Sequence, residues 1–366
     1  MIFNNPSGSS SVFEGFTGFY GNSSAATAII TNTAAEVAGI DSGQTYFTNT
    51  ARAGSATVIC NGANVSGAGG GTCFFTGNST ADNAILTAMG GANGGAGGLI
   101  QFDDSTTADS ARVVLSGNGT LNISFHALGP LTLGSLEGDG GEVTLGGKSL
   151  VVGSNDFDTV FGGQIQEHGS VTKTGTGTLT LSGANTYTGA TVVSAGALKA
   201  ANRSGSATGT GALNVNAGTL AGKGTISGAV TIGTGSGSGS GSGAFLAPAA
   251  GTNVQAMLTI QSPLIFNTDA TYAYTFRAKR NRAKTDQVIA SGVMINSGAM
   301  IALSGQTQGR LTTGLTLTLI SNTSANPISG TFSDLPDGAI VTVNGNHLQA
   351  SYSGGDGNDL TLTVVP

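Results

Sequence analysis

Charge is the first thing this sequence is short of. Only 9% of its 366 residues are Asp, Glu, Lys or Arg, against roughly 25% in average proteins. Unfolded chains in water are solvated by charge and poor in apolar residues. Here the hydrophobic fraction is 39% and the mean hydropathy +0.15, which argues against disorder. Proline occurs 7 times without a Gly-X-Y period, so a collagen-like chain is excluded. No apolar run reaches the length of a membrane-spanning helix. Charged helix formers are too scarce for a long helix or bundle. Cys60 and Cys73 are the only cysteines, too few for a disulfide scaffold and at no metal-binding spacing. In an oxidising compartment they could close a small loop worth ~3 kcal/mol; otherwise they are two half-buried thiols. The 19 acidic and 13 basic residues give a net charge of −6 and a pI near 4.9. That balance disfavours nucleic acid and electrostatic binding to anionic membranes.

What is abundant is glycine, 62 residues, together with Ala, Thr, Ser and Val, a composition that favours strands. The chain also repeats itself. Phe19, Phe47, Phe75 and Phe102 each precede an alanine by six residues (Ala25, Ala53, Ala81, Ala108), and a second alanine follows three later (Ala28, Ala56, Ala84, Ala111). The steps are 28, 28 and 27. A shorter repeat follows: Val193-Ser-Ala-Gly196-Ala-Leu198 recurs 22 residues on as Val215-Asn-Ala-Gly218-Thr-Leu220, with a relative at Ile295-Asn-Ser-Gly298-Ala-Met300. Each reads as strand, glycine turn, strand. Alternating pairs such as Leu131/Leu133, Val143/Leu145, Leu179/Leu181 and Val230/Ile232 have the strand period of two. Short strands at such a period describe a parallel β-solenoid, in which each coil covers the apolar face of the next at about 4.8 Å. The length allows roughly a dozen coils and a rod of ~60–70 Å. The paired alanines are expected to let the chain pass close to the coil above.

Gly169-Ser-Val-Thr-Lys173-Thr-Gly175-Thr-Gly177-Thr-Leu179-Thr-Leu181-Ser-Gly183-Ala-Asn185-Thr-Tyr187-Thr-Gly189-Ala-Thr191-Val-Val-Ser-Ala-Gly196-Ala-Leu198 closely resembles the passenger-associated β-strand repeat of bacterial autotransporters. The flanks are similar to the same group, at Leu136-Glu-Gly-Asp139-Gly, Leu220-Ala-Gly-Lys-Gly224-Thr-Ile226 and Ser329-Gly330-Thr-Phe332. The resemblance implies an all-β, right-handed parallel β-helix exposed outside a Gram-negative-type bacterium. A complete autotransporter adds an N-terminal signal peptide and a C-terminal outer-membrane barrel. Met1 to Pro6 has neither a basic nor an apolar leader region, and no long set of ten-residue alternating strands follows the repeats. The expectation is a passenger fragment without its translocator barrel, attached to a membrane only through that barrel or another anchor. Its segments read as a lead-in (1–18), a solenoid of 28-residue repeats (19–125), an autotransporter-type solenoid of 22-residue repeats (126–232), a flexible Gly/Ser loop (233–243) and a solenoid continuation with a cap (244–366).

Candidate chemistry is sparse. Polysaccharide-cleaving β-helices converge two or three carboxylates on one face; Asp103, Asp104, Asp109, Asp156 and Asp158 are the candidates, and turn formation is their ordinary use. Gly354-Gly-Asp356-Gly-Asn-Asp359 approaches the calcium nonapeptide, with Asp356 and Asp359 as weak calcium candidates, but occurs once, whereas a calcium roll shares each ion between stacked turns. Gly141-Glu-Val-Thr-Leu-Gly146-Gly147-Lys148-Ser149 misses the phosphate-loop pattern at Glu142. His126, His168 and His347 share no ligand spacing. Thr176, Thr178 and Thr180 form a threonine ladder of the kind that strands favour. Arg277, Lys279, Arg280, Arg282 and Lys284 gather five of the 13 basic residues in eight positions, either as a contact for anionic glycans or lipopolysaccharide or as a solvated hairpin. No catalytic residue, cofactor or metal is assigned. The expected function is a non-enzymatic extracellular stalk or adhesive passenger, with host or matrix glycans or proteins as partners. The alternatives are a self-associating fibre or surface-layer subunit, and a polysaccharide-active enzyme.

Overall fold

The computed structural model describes residues 1–5, 15–127, 129–236, 243–249 and 255–366. The described residues form 36 strands and no helix. Most strands run parallel to their neighbours, coil over coil, so the chain is a β-solenoid. Two compact units divide at Gly189 and Ala190.

In the first unit, one face stacks Ile2–Asn4, Ile29–Asn32, Thr57–Cys60, Ile85–Ala88, Arg112–Leu115 and Ser135–Glu137. A second face stacks Phe16–Phe19, Gln44–Phe47, Thr72–Phe75, Leu99–Phe102, Thr120–Asn122, Glu142–Thr144 and Gln164–Gln166. The third side begins as single bridges, Ser24 to Arg52 to Thr80 to Thr107. It then broadens into the strands Leu131–Leu133, Lys148–Val152 and Gly169–Lys173. That change accompanies a shorter coil: Thr45 pairs with Cys73, 28 residues on, whereas Val143 pairs with Ile165, 22 residues on.

The sequence period of two becomes an inside and an outside. Val58 and Cys60, Leu86 and Ala88, Val113 and Leu115 point inward and are fully buried, while the residues between them face out. The repeated phenylalanines form an internal ladder. Phe19, Phe47, Phe75 and Phe102 stack at 4.8, 4.8 and 4.6 Å with ring planes within 7° of parallel, matching the spacing of the strands that carry them. Each buried ring contributes about 1.5–3 kcal/mol of transfer free energy. Toward the first coils the interior turns polar. The Asn4 amide donates to Asn32 Oδ1 (2.8 Å) and to the Gln44 carbonyl (2.9 Å), and the Asn32 amide donates to the Thr72 carbonyl (2.7 Å) and the Cys60 sulfur (3.6 Å). Buried amides are tolerated here because they are hydrogen-bonded.

The paired alanines sit where one coil bonds to the next, Ala53 N–H to the Thr80 carbonyl and Thr57 N–H to that of Ala28, and they also shape the corner. Each pair brackets a tight turn, with the second N–H donating to the first carbonyl: Ala28 to Ala25, Ala56 to Ala53, Ala84 to Ala81, Ala111 to Ala108. The residue after the first alanine has a left-handed φ, at Ala26, Gly54, Asp82 and Asp109. A glycine column also permits close passage between coils. A Cβ at Gly71 would lie 2.1 Å from the Asn32 carbonyl oxygen, one at Gly98 2.1 Å from that of Cys60, and one at Gly119 2.2 Å from that of Ala88.

In the second unit, one face stacks Thr191–Val193, Leu213–Val215, Val230–Ile232, Leu264–Phe266 and Val293–Ile295. A second stacks Ala197–Ala200, Gly218–Gly222, Ala244–Leu246, Ala270–Lys279 and Met300–Gln308. The third stacks Thr225–Ile226, Met257–Ile260, Gln287–Ala290 and Thr316–Asn322 in parallel, then turns antiparallel through Asp359–Val365, Asn346–Gly354 and Ile340–Val343. Gly196, Gly218 and Gly298 occupy the strand-turn-strand corner with positive φ, as their repeat suggests. The Gly/Ser run opens at this corner, between Val230–Ile232 and Ala244–Leu246. Its residues 237–242 lie outside the described residues, as do 6–14 of the lead-in.

Candidate functional site

The strand Ala270–Lys279 outgrows its coil. Its first residues pair with Ala244–Leu246, and its last four turn back antiparallel onto Arg282–Thr285 through Arg280 and Asn281. On the other side it pairs along its length with Met300–Gln308. Tyr272, Tyr274, Phe276 and Ala278 point into the core, so the intervening Arg277 and Lys279 point out. Arg277 lies opposite Lys284 on one neighbour and Gln306 on the other; Lys279 lies opposite Arg282 and Gln308. The result is an exposed grid of four cations flanked by two amides, bordering a depression of about 530 Å³. Arg280, at φ 51°, forms the tip. Its carbonyl accepts the Thr312 N–H (3.0 Å), which holds the segment carrying Arg310 beside the tip. The sequence cluster of five is thus a hairpin. Gln306, Gln308 and Arg310 escaped the sequence reading because the parallel register brings them from about thirty residues away. The signal was present in the Ile295–Met300 repeat, which aligns that strand with its predecessor.

Of the candidate carboxylates, Asp156 and Asp158 share one depression with Glu137, whereas Asp103, Asp104 and Asp109 do not line it. Asp104 and Asp109 occupy left-handed corners. Asp104 accepts the Gly77 N–H (2.9 Å), Asp109 the Thr80 hydroxyl (2.8 Å), and Asp103 the Gln101 amide (3.0 Å). Burial raises the Asp103 carboxyl above its ordinary value. That depression, about 450 Å³, is lined by Arg112, Glu137, Asp156, Phe157 and Asp158. Arg112 grips Glu137 with two bonds of 3.0 and 2.9 Å and lies 5.6 Å from the Phe157 ring centre. That hydrogen bond holds the Glu137 carboxyl below its ordinary value. Asp156 accepts the Thr176 N–H (2.6 Å) and Asp158 that of Thr178 (2.7 Å), each tying one coil to the next. These groups serve as corner fasteners.

Cys60 and Cys73 are free and fully buried, not bridged and not half-exposed. They face the interior from adjacent strands of one coil, and burial pushes the Cys60 thiol up to about 12. Asp356 and Asp359 belong to an antiparallel hairpin between Asn346–Gly354 and Asp359–Val365, not to stacked calcium-roll turns. Asp359 is taken by the Asn322 N–H (2.8 Å). Among the described residues no three His, Cys, Asp or Glu side chains are grouped to hold a metal. His126 is buried with Nε2 2.8 Å from the Thr106 carbonyl, His168 pairs with the Thr188 hydroxyl, and His347 with that of Thr342. The phosphate-loop look-alike is strand, glycine turn, strand.

Residues 171–200 match the family model of the passenger-associated-transport-repeat. The chain carries an autotransporter passenger repeat. No curated protein matches it significantly. Within the passenger repeat, Val171, Leu179, Leu181 and Tyr187 fill the first unit's interior, and Val193, Leu198 and Ala200 that of the second. Asn185, buried at a corner, accepts the Ile165 N–H (2.7 Å) from the preceding coil. Lys173 is also turned inward, only 1% exposed. Its ammonium donates to the carbonyls of Thr174 and Gly175, capping the turn before the next strand. Burial lowers its pKa, against the opposing pull of Asp156 and Asp158. The motif's polar residues therefore serve stacking. Thr178 and Thr180 alternate outward between Leu179 and Leu181 as strand threonines do.

Proposed function

We propose that this chain is a non-enzymatic β-solenoid of a bacterial surface protein, serving outside the cell as a stalk or adhesive passenger. One observation carries the reading: the passenger repeat at 171–200 lies in stacked coils whose polar motif residues, Lys173 and Asn185, are spent on turns and coil-to-coil bonds. The sequence's candidate carboxylates are likewise engaged at corners. Function then rests on the outer faces and loops, which a stacked core can hold rigidly because each coil is supported by its neighbours. Intact cells of the native source, probed with antibody to the folded protein and with added protease, test this. Labelling and cleavage on unbroken cells are expected. Signal only after lysis would contradict the proposal.

A further inference from the structure

We propose that the outward face of the hairpin 270–285, with the strand Met300–Gln308 beside it, is a binding site for a linear anionic polysaccharide carrying sulfate or carboxylate groups. The argument starts from a cost. Like charges directly opposite on paired strands are destabilising, yet Arg277 faces Lys284 and Lys279 faces Arg282 in consecutive outward pairs. No carboxylate interleaves them. The two ion pairs among the described residues use Arg52 and Arg112. The acid that follows the hairpin in sequence, Asp286, is fully buried and takes the Thr275 hydroxyl and the Ala256 N–H. The tip adds a second cost, because Arg280 holds a left-handed φ of 51° where glycine or asparagine is easier. Neither cost is needed to close a hairpin, and a polyanion lying across the face relieves the repulsion.

The geometry selects the type of anion. Side chains two residues apart on a strand repeat at ~6.8 Å, and opposite residues lie ~5 Å apart. A flat, open array of that pitch suits a chain bearing anionic groups on successive sugars more than a single enclosed phosphate. Gln306 and Gln308, on the adjoining strand, supply amides suited to sugar hydroxyls. A lipid surface fits less well: none of the strongly exposed large apolar residues lies on the strands Ala270–Lys279, Arg282–Thr285 or Met300–Gln308, so the face itself lacks the apolar anchor of an interfacial segment. This inference deepens the adhesive reading, but its test is independent of cell location.

Purified protein is run on a heparin column and titrated with defined heparin oligosaccharides, with lipopolysaccharide micelles and anionic phospholipid vesicles alongside. The variant carries Arg277→Ser, Lys279→Ser, Arg282→Ser and Lys284→Ser. The control removes equal charge elsewhere through Lys148→Ser, Lys199→Ser, Arg203→Ser and Lys223→Ser. Retention of the wild type and the control is expected, with loss in the hairpin variant and a log–log salt slope smaller by about three. Circular dichroism checks folding, and an Arg277→Gln/Lys284→Gln protein replaces the variant if it fails to fold. No retention of the wild type, equal loss in both variants, or tighter binding to the lipids than to the oligosaccharides would overturn the proposal.

Discussion

At the scale of the residue, the interior is organised by columns in which one position recurs coil after coil. The inward column Asn4, Asn32, Cys60, Ala88 runs from amide to thiol to methyl, so a chemically graded series shares one backbone environment. The thiols are the members most sensitive to pH. Burial raises both Cys60 and Cys73 from an ordinary value of 9.0, so the folded state keeps protons that the unfolded chain releases. The Cys60 contribution is complete below pH 9 and is lost as pH climbs from 9 toward about 12, and Cys73 acts in the same direction. At pH 10 the loss from Cys60 is about 1.4 kcal/mol. The tyrosines raised by burial, Tyr272, Tyr274 and Tyr352, act in the same direction above their ordinary 10.0. Lys173 acts oppositely, since a lowered pKa makes its burial less costly as pH rises toward 10.5. Between pH 8 and pH 10 the urea midpoint should therefore fall more in the wild type than in Cys60→Ala/Cys73→Ala; Ala88 shows that alanine fits the column of Cys60, and Cys73 lies in a separate column between Thr45 and Ile100. An unchanged pH response in the double variant would contradict this assignment.

At the scale of the element, strands are fixed by alternation and corners by backbone chemistry, and the two were unequally legible in the sequence. The strands were readable because Phe, Val, Leu and Ile recur at two-residue and coil-length spacings. The Phe19 to Phe102 ladder follows directly from the 28-residue step. The corners were not, because a small residue can be there for a turn or for clearance. The alanine pairs close turns and also bond from coil to coil, and further clearance is needed at glycines just before the second-face strands. Those two demands have different costs. Gly98→Ala puts a methyl 2.1 Å from a carbonyl oxygen and should cost at least ~3 kcal/mol. Gly39→Ala meets nothing within 4 Å at φ 76° and should cost ~1–2 kcal/mol, the penalty for a left-handed residue alone. Thermal and urea unfolding of both variants decides; equal losses would remove the clearance argument. The basic hairpin was half legible for a related reason. Its five cations fall within eight consecutive positions, whereas Gln306 and Gln308 join only through register.

At the scale of the whole molecule, each unit repeats one device: parallel strands stacked at a coil-length register, with polar side chains fastening one corner to the next. The passenger repeat is one instance of it, carrying an inward lysine, Lys173, as the first coils carry the inward amides of Asn4 and Asn32. A low content of charge follows from the design, because narrow coils leave mostly Thr, Ser, Gly and Asn outside. The register is the central claim, and a disulfide trap reads it most directly. Ser149 and Ser170 sit opposite each other in adjacent coils, their hydroxyl oxygens 2.7 Å apart. Strand partners at that separation suit a disulfide. In a Cys60→Ala/Cys73→Ala background, Ser149→Cys with Ser170→Cys should close completely on mild oxidation within one monomer, as mass spectrometry of the digest would show. Ser149→Cys with Thr172→Cys, shifted by two residues, should remain reduced. Closure of the shifted pair in preference to the aligned one, or of neither, would contradict the stacked-coil account.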